Sequence, residues 1–315
     1  MEPPSPPRPA RLSRLSRALG PGALLSLAAL ALAACASSGQ PASASHFDGA
    51  RAREHVAQLV AIGPRPPGSP GAAVARGYIT RQLASYGITA VAQPFTAQTP
   101  LGPIEMVNLR ATVPGAARGA RLVVAGHYDT KLFRRFRFVG ANDGGSSAAF
   151  LIELGRILAA RKNPMPIELL FLDGEEALVE WTGDDHTYGS RHYVEASRED
   201  GSLAELRAVI LVDMIGDRDL RIRRDSNSTD WLNDLVWDAA ARAKRPEFVR
   251  EEASIEDDHW SFTDAGIPAV DLIDLEYPAW HTAGDTLDKV SAGSLQAVAD
   301  VLLLALPDIE RYLAR

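Results

Sequence analysis

Two histidines and five carboxylates stand in or just after the apolar runs of this chain. "GHYDT" supplies His127 and Asp129, "GANDGG" Asp143, "LDGEEA" Glu175 and Glu176, "LVDMIGD" Asp213 and "PAWHTAGDT" His281. Imidazoles and carboxylates drawn from separated segments suit a borderline divalent cation such as Zn²⁺. The stretch 171–181, "FLDGEEALVEW", sharpens the point, because Asp173, Glu175 and Glu176 crowd the end of an apolar run. Carboxylates are costly to desolvate beside one another, and a bound dication lowers that cost. Asp173 has no role in this reading. Successive side chains of an extended segment point opposite ways. If Glu176 binds metal, Glu175 is therefore free to face a substrate and carry its proton. His127 and Asp129 share a face, so Asp129 is placed to hold the His127 ring. Taken singly, each residue has an ordinary use. Asp143 could cap a helix, the Glu175–Glu176 doublet could be solvated, Asp213 could serve a turn, and either histidine could be structural. It is their recurrence at the ends of apolar runs that points to a site.

Such a set needs a scaffold that brings strand ends together. The runs 121–130, 167–176, 208–217 and 267–275 are short and rich in Val, Ile and Leu, as strands buried on both faces are. Helical spacing marks 146–162, where Phe150, Leu154, Ile157 and Leu158 share a stripe. Residues 50–63 and 72–87 are also helical in pattern and each ends in Gly, and 292–313 reads as a closing amphipathic helix. The alternation predicts one α/β domain with a mostly parallel central sheet flanked by helices. Ligands of such sheets bind beyond the carboxyl ends of the strands.

With these residues in place the chain resembles the zinc-dependent M28 peptidase superfamily, a zinc exopeptidase-like fold, and within it the glutaminyl-peptide cyclotransferase branch. The similarity runs from "GPRPPGSPG" (63–71) to "AWHTAGDTLDKVS" (279–291). The branch is marked by "LDGEEALVEW" with Trp181, by "YGSRHYV" (188–194), by "IEDDHWSF" (255–262) with Asp257, and by Trp280 beside His281. The resemblance implies one Zn²⁺ on Asp143, Glu176 and His281, with Glu175 as acid and base. Asp213 and Asp257 would steady the leaving nitrogen, and Trp181 and Trp280 would wall the pocket. The substrate would be a peptide or protein with an N-terminal glutamine, cyclised to pyroglutamate with loss of ammonia. His259 is expected to be structural or to support the site from behind. Two departures stand out: Asp271 takes the place of a histidine found in animal members, and the disulfide of those members is absent.

A rival chemistry uses the same residues. His127 and Asp213 could hold a second zinc with Asp143 bridging, giving a two-metal aminopeptidase. An inactive binding module on a peptidase scaffold is a third reading, disfavoured because every ligand and the acid/base are present.

The 315-residue chain has the composition of a soluble globular protein. Arg8, Arg11, Arg14 and Arg17 precede an apolar segment, 23–34, too short to span a bilayer. It ends in "LAAC", which resembles the lipobox of bacterial lipoproteins. The expectation is a lipoprotein signal over 1–34, acylation of Cys35, a small polar tether over 35–49 and a catalytic domain over 50–315. That places the protein on a cell-envelope membrane, in the outer membrane facing the periplasm, held by lipid alone. Cys35 is the only cysteine, so no disulfide is expected. Loss of 1–34 takes the formal charge from −7 to −10, and no basic cluster suggests nucleic acid as a partner.

Overall fold

The computed structural model describes residues 46–315. The expected leader, Cys35 with its expected acylation and most of the expected tether lie outside the described residues. The packed unit reaches back to Phe47, which is buried with its ring centroid 5.0 Å from that of Phe150. Asp48 caps helix α1 (Gly49–Ile62) by accepting from the Ala50 and Arg51 amides. Helix α2 (Pro70–Ser85) opens on a Ser69 cap with Pro at its first position.

A six-stranded sheet runs in the order β1-β2-β4-β3-β5-β8. Strands β3 (Arg121–His127), β4 (Ile167–Leu172), β5 (Leu206–Asp213) and β8 (Ala269–Ile273) are parallel and correspond to the four apolar runs. Strands β1 (Ala90–Thr99) and β2 (Gly102–Val113) form a hairpin that joins antiparallel along β4 and makes the sheet mixed.

Alternation along each parallel strand decides which layer a residue enters. Leu122 and Val124 of β3, Ile167, Leu169 and Phe171 of β4, and Ile210 and Val212 of β5 face the larger core. Helices α1, α2, α3 (Gly145–Ala160), α5 (Asp230–Ala243) and α7 (Ala292–Leu313) cover that side. Val123, Ala125, Leu170, Leu172, Val209 and Leu211 face the opposite, smaller core under α4 (Tyr188–Glu199) and α6 (His259–Asp264). A short parallel pair, β6 (Ile222–Asp225) and β7 (Phe248–Ala253), forms a separate ladder. Helix α7 is long and apolar enough to cross a membrane, but 56% of its apolar window is buried in the protein, as in a core helix.

The chain leaves β3 through α3 to reach β4 on one side, then returns through α4 to β5 on the other. The carboxyl ends of β3 and β5 therefore flank the point where strand order reverses, the place for a ligand.

Candidate active site

β3 ends on His127 and its neighbour β5 on Asp213, and His127 Nε2 lies 3.0 Å from Asp213 Oδ1. The same nitrogen is 3.3 Å from Asp143 Oδ1. Asp143 does not cap α3, since the cap position is Gly144 and no side chain bonds there. Its other oxygen, Oδ2, turns toward His281, 3.4 Å from Nε2. Gly144 has φ +71°, and a Cβ there would come within 2.3 Å of the Asp129 carbonyl oxygen and 3.0 Å of His127 Cε1. The "GANDGG" stretch thus needs glycine where it crosses the strand end.

Glu176 Oε1 is 3.2 Å from His281 Nε2 and accepts from the Lys131 amide, while the Lys131 ammonium reaches Oε2. Glu175 turns the other way, its Oε2 3.8 Å from His127 Nδ1. Asp129 holds the His127 Nδ1 at 3.3 Å and also accepts from the amides of Glu175 and Glu176. It therefore positions three neighbours rather than one. Residues 187 and 188 donate their amides to the Glu175 and Gly174 carbonyls, so the start of α4 fixes the acidic loop. His281 (φ 54°) and Met214 (φ 46°) both hold left-handed backbone, an uncommon conformation found at constrained sites.

Two donor triads result, His127–Asp143–Asp213 and Asp143–Glu176–His281, each with its ligand atoms within 4.8 Å of one another. Burial and the charge of Glu176 push Asp143 well above the usual carboxylate range. Burial also drives Glu175 upward, reinforced by Glu176, Asp257 and Asp213 and opposed by His127. Burial works against the charge of Glu176 too, but His281 and Lys131 hold that carboxyl below its usual value. For His127, burial opposes the imidazolium, yet Asp213, Glu175, Asp129 and Asp143 together raise its pKa well above the ordinary one. Asp143 Oδ2 is buried and has no hydrogen-bond donor among the described residues. An orphaned carboxylate oxygen between an imidazole and a second carboxylate is what a cation completes, so the residues fit a divalent metal.

Above the triads opens a pocket of about 340 Å³. Its floor is Asp143, Glu175, Glu176, Asp213 and His281, and its walls include Trp181, Ile255, Asp257, Ile273 and Trp280. Trp280 stacks on the His281 ring at 4.4 Å and is 45% exposed. Trp181 is half-buried and stacks on His186 at 4.2 Å. Its loop is pinned by Asp185, which accepts from the Leu178, Val179 and Glu180 amides and from the Tyr188 hydroxyl. Asp257 is buried in the wall, and burial together with the charge of Asp213 raises its carboxyl to about 7.

Residues 108–306 match peptidase family M28. A mouse (Mus musculus) glutaminyl-peptide cyclotransferase-like protein is 33% identical over 277 residues, covering 78% of this chain and 72% of its own length. The chain belongs to peptidase family M28, in its glutaminyl-peptide cyclotransferase branch. Two solved bacterial structures are similar to this M28 chain. The glutaminyl cyclase of an Acidobacteriales bacterium has 40% identity and a TM-score of 0.81, covering 86% of this chain and 97% of that one. The glutaminyl cyclase of Fimbriiglobus ruber has 30% identity and a TM-score of 0.77, with coverage of 84% and 95%.

The M28 site also rests on residues that motif spacing does not reveal. Asp285 accepts from the amides of Asn142 and Asp143 with its two oxygens and from the Tyr277 hydroxyl, so it sets the loop carrying Asp143. Its one signal is a position four residues after His281. Asp258 accepts from Ser190 on α4. His259 is fully buried behind the pocket, 3.1 Å from Asp225 Oδ2 and 3.7 Å from Asp271 Oδ2. Asp271 lies in that rear cluster and does not line the pocket.

Asp173 proves to be a fastener of the β2–β4 seam. It accepts from the Val107 amide at 2.8 Å and the Tyr128 hydroxyl at 2.7 Å, with Arg76 3.5 Å away. Burial, then the charge of Asp129, raise its carboxyl to about 7 despite those bonds. A carboxyl raised on folding contributes stability below its unfolded pKa, about 4, and loses it as pH rises through the folded value. Asp173→Asn stays neutral throughout. Relative to wild type, the variant gains stability between about pH 4 and pH 7, by up to about 1.4 kcal/mol per pH unit. Urea unfolding across that range reads the effect, and a difference between the proteins that does not change with pH would count against it.

Proposed function

We propose that this chain is a zinc-dependent glutaminyl-peptide cyclotransferase that converts N-terminal glutamine to pyroglutamate and releases ammonia. The observation that carries the reading is the pocket. It is sized for one terminal residue, walled by Trp181 and Trp280, and floored by Glu175 beside the Asp143–Glu176–His281 triad. Those three residues would hold one Zn²⁺, which polarises the γ-carbonyl of the glutamine when bound. The substrate's own α-amine is the nucleophile, so the protein's task is largely positioning. Trp181 and Trp280 orient the terminal residue and exclude water. Glu175, its carboxyl raised by burial, takes the proton released as the new C–N bond forms and delivers it to the departing nitrogen. Asp257 and Asp213 hydrogen-bond that nitrogen as its bond to the carbonyl carbon of the side-chain amide (Cδ) breaks. Asp129 keeps His127 and the acidic loop in register.

Incubation with Gln-Ala and Ala-Ala peptides tests the reading, with products identified by mass. Loss of one ammonia from Gln-Ala and no change in Ala-Ala is expected. Chelation should abolish turnover, and one equivalent of zinc should restore it. A second reading has one specific observation in its favour, the complete His127–Asp143–Asp213 triad, which suits a two-zinc aminopeptidase. Free alanine from Ala-Ala together with two zinc ions per chain would install it instead.

Export and lipid anchoring at Cys35 complete the proposal, supported by the basic-apolar-"LAAC" order of the leader. Cys35→Ser should move the protein from the membrane to the soluble fraction. Retention of that variant on membranes would end the anchoring idea.

A further inference from the structure

The loop 131–138, "KLFRRFRF", stands at the mouth of the pocket. Lys131 lines the pocket and is bound to Glu176. Phe133 and Phe138 set their rings edge-on to that of His281, at 5.8 Å and 6.1 Å. Phe133 also stacks on Phe136 at 4.5 Å, and Phe138 is buried. The loop is thus fastened to a metal-binding position by an aromatic cluster. Between the fastenings, Arg134 and Arg135 are exposed, and neither has a hydrogen bond or ion pair among the described residues. Arg137 is directed elsewhere, its guanidinium lying over Gly63 at the end of α1.

Exposed arginines elsewhere are of two kinds: Arg81, Arg118, Arg198, Arg207 and Arg250 have no ion pair among the described residues, whereas others are paired. Arg191, Arg221, Arg223, Arg224, Arg242 and Arg245 each meet a carboxylate. The chain carries a net charge of −7, so acids to neutralise the loop are plentiful in its composition. Glu180 and Glu256, both exposed, belong to the lining of the pocket itself. Positive charge thus sits on the loop packed against His281, and negative charge on Glu180 and Glu256 of the lining. The pocket holds about 340 Å³, so residues after the first must leave across the rim.

We propose that Arg134 and Arg135 select substrates carrying carboxylate side chains in the positions just after the N-terminal glutamine. The proposal rests on the cyclotransferase reading and names its substrate class. Exposed guanidinium groups act on such a chain mainly by steering and by solvent-screened pairing, so the effect belongs to kcat/KM and falls with salt.

The test uses three peptides in which Gln is followed by two alanines, two glutamates or two lysines. Rates are read relative to the alanine peptide, which reports fold and chemistry. At low salt the glutamate peptide should exceed the lysine peptide in kcat/KM roughly tenfold. The ratio should collapse toward one at about 1 M salt. The double variant R134E/R135E should invert it. Equal rates for the two charged peptides in the wild type, or an unchanged ratio in the double variant, would overturn the proposal. So would binding to vesicles rich in anionic lipid that the double variant loses while peptide selectivity stays put, which would make the loop a membrane contact. Absence of ammonia release from all three peptides would instead bring down the cyclotransferase reading, and this one with it.

Discussion

Replacing Glu175 by glutamine lowers cyclisation by about 10²- to 10⁴-fold, the usual worth of a positioned proton carrier, and leaves the zinc content and the fold intact. Glu175 stands outside the Asp143–Glu176–His281 triad, with its carboxylate directed toward His127 rather than His281. Glutamine has the same shape but cannot accept the amine proton. Burial already disfavours the charge at this position, so a neutral side chain costs the fold little. The contrast is Glu176→Gln, which removes a triad member and should lose metal along with turnover. Ammonia release, zinc per chain and thermal unfolding measured on both variants separate the two roles. A Glu175→Gln enzyme within tenfold of wild type, or one that has lost its zinc, would refute the assignment.

Arg65→Met destabilises the domain by more than about 4 kcal/mol, because several buried acceptors lose their donor together. Arg65 is fully buried and donates to the carbonyls of Tyr128 at 2.8 Å, Val139 at 2.7 Å and Gly140 at 2.9 Å. Longer bonds reach Leu59 and Gly63. One guanidinium thus ties the end of α1, the end of β3 and the approach to Asp143. Burial lowers its pKa to about 10, against the pull of Asp129, Asp285 and Asp143, so it stays charged at neutral pH. Lysine keeps the charge but lacks the planar fork, and Arg65→Lys should recover only part of the loss. Urea unfolding of both variants is the measurement. A methionine variant within about 1 kcal/mol of wild type would show that water or the backbone replaces these bonds.

Much of the donor set was legible because His127, Glu176 and Asp213 end or closely follow runs of Val, Ile and Leu, and such runs become parallel strands whose ends converge. The four strands and four of the helices appear where pattern placed them, and the helix at 292–313 has the same bounds. The β1–β2 hairpin was not legible. It lies at the sheet edge, half the residues of β1 face solvent, and Pro94 and Pro103 interrupt its pattern, as edge position permits. Arg65 and Asp285 escaped for a different reason. They serve the site by bonding peptide groups far along the chain, and no side-chain spacing records which carbonyl or amide a residue will meet. Asp173 could be seen as costly but not placed, since its partners on β2 and α2 belong to elements that only the fold brings near.

Glu176 and His281 stand 105 positions apart in the chain, and Asp143 lies earlier still. No contiguous piece shorter than 143–281 contains the whole triad. A partly synthesised chain that lacks His281 therefore cannot assemble this triad, although it can already contain His127, Asp143 and Asp213. On the proposed reading, metal binding at Asp143, Glu176 and His281 would be a late event, coupled to the packing of β8 and the turn that follows it.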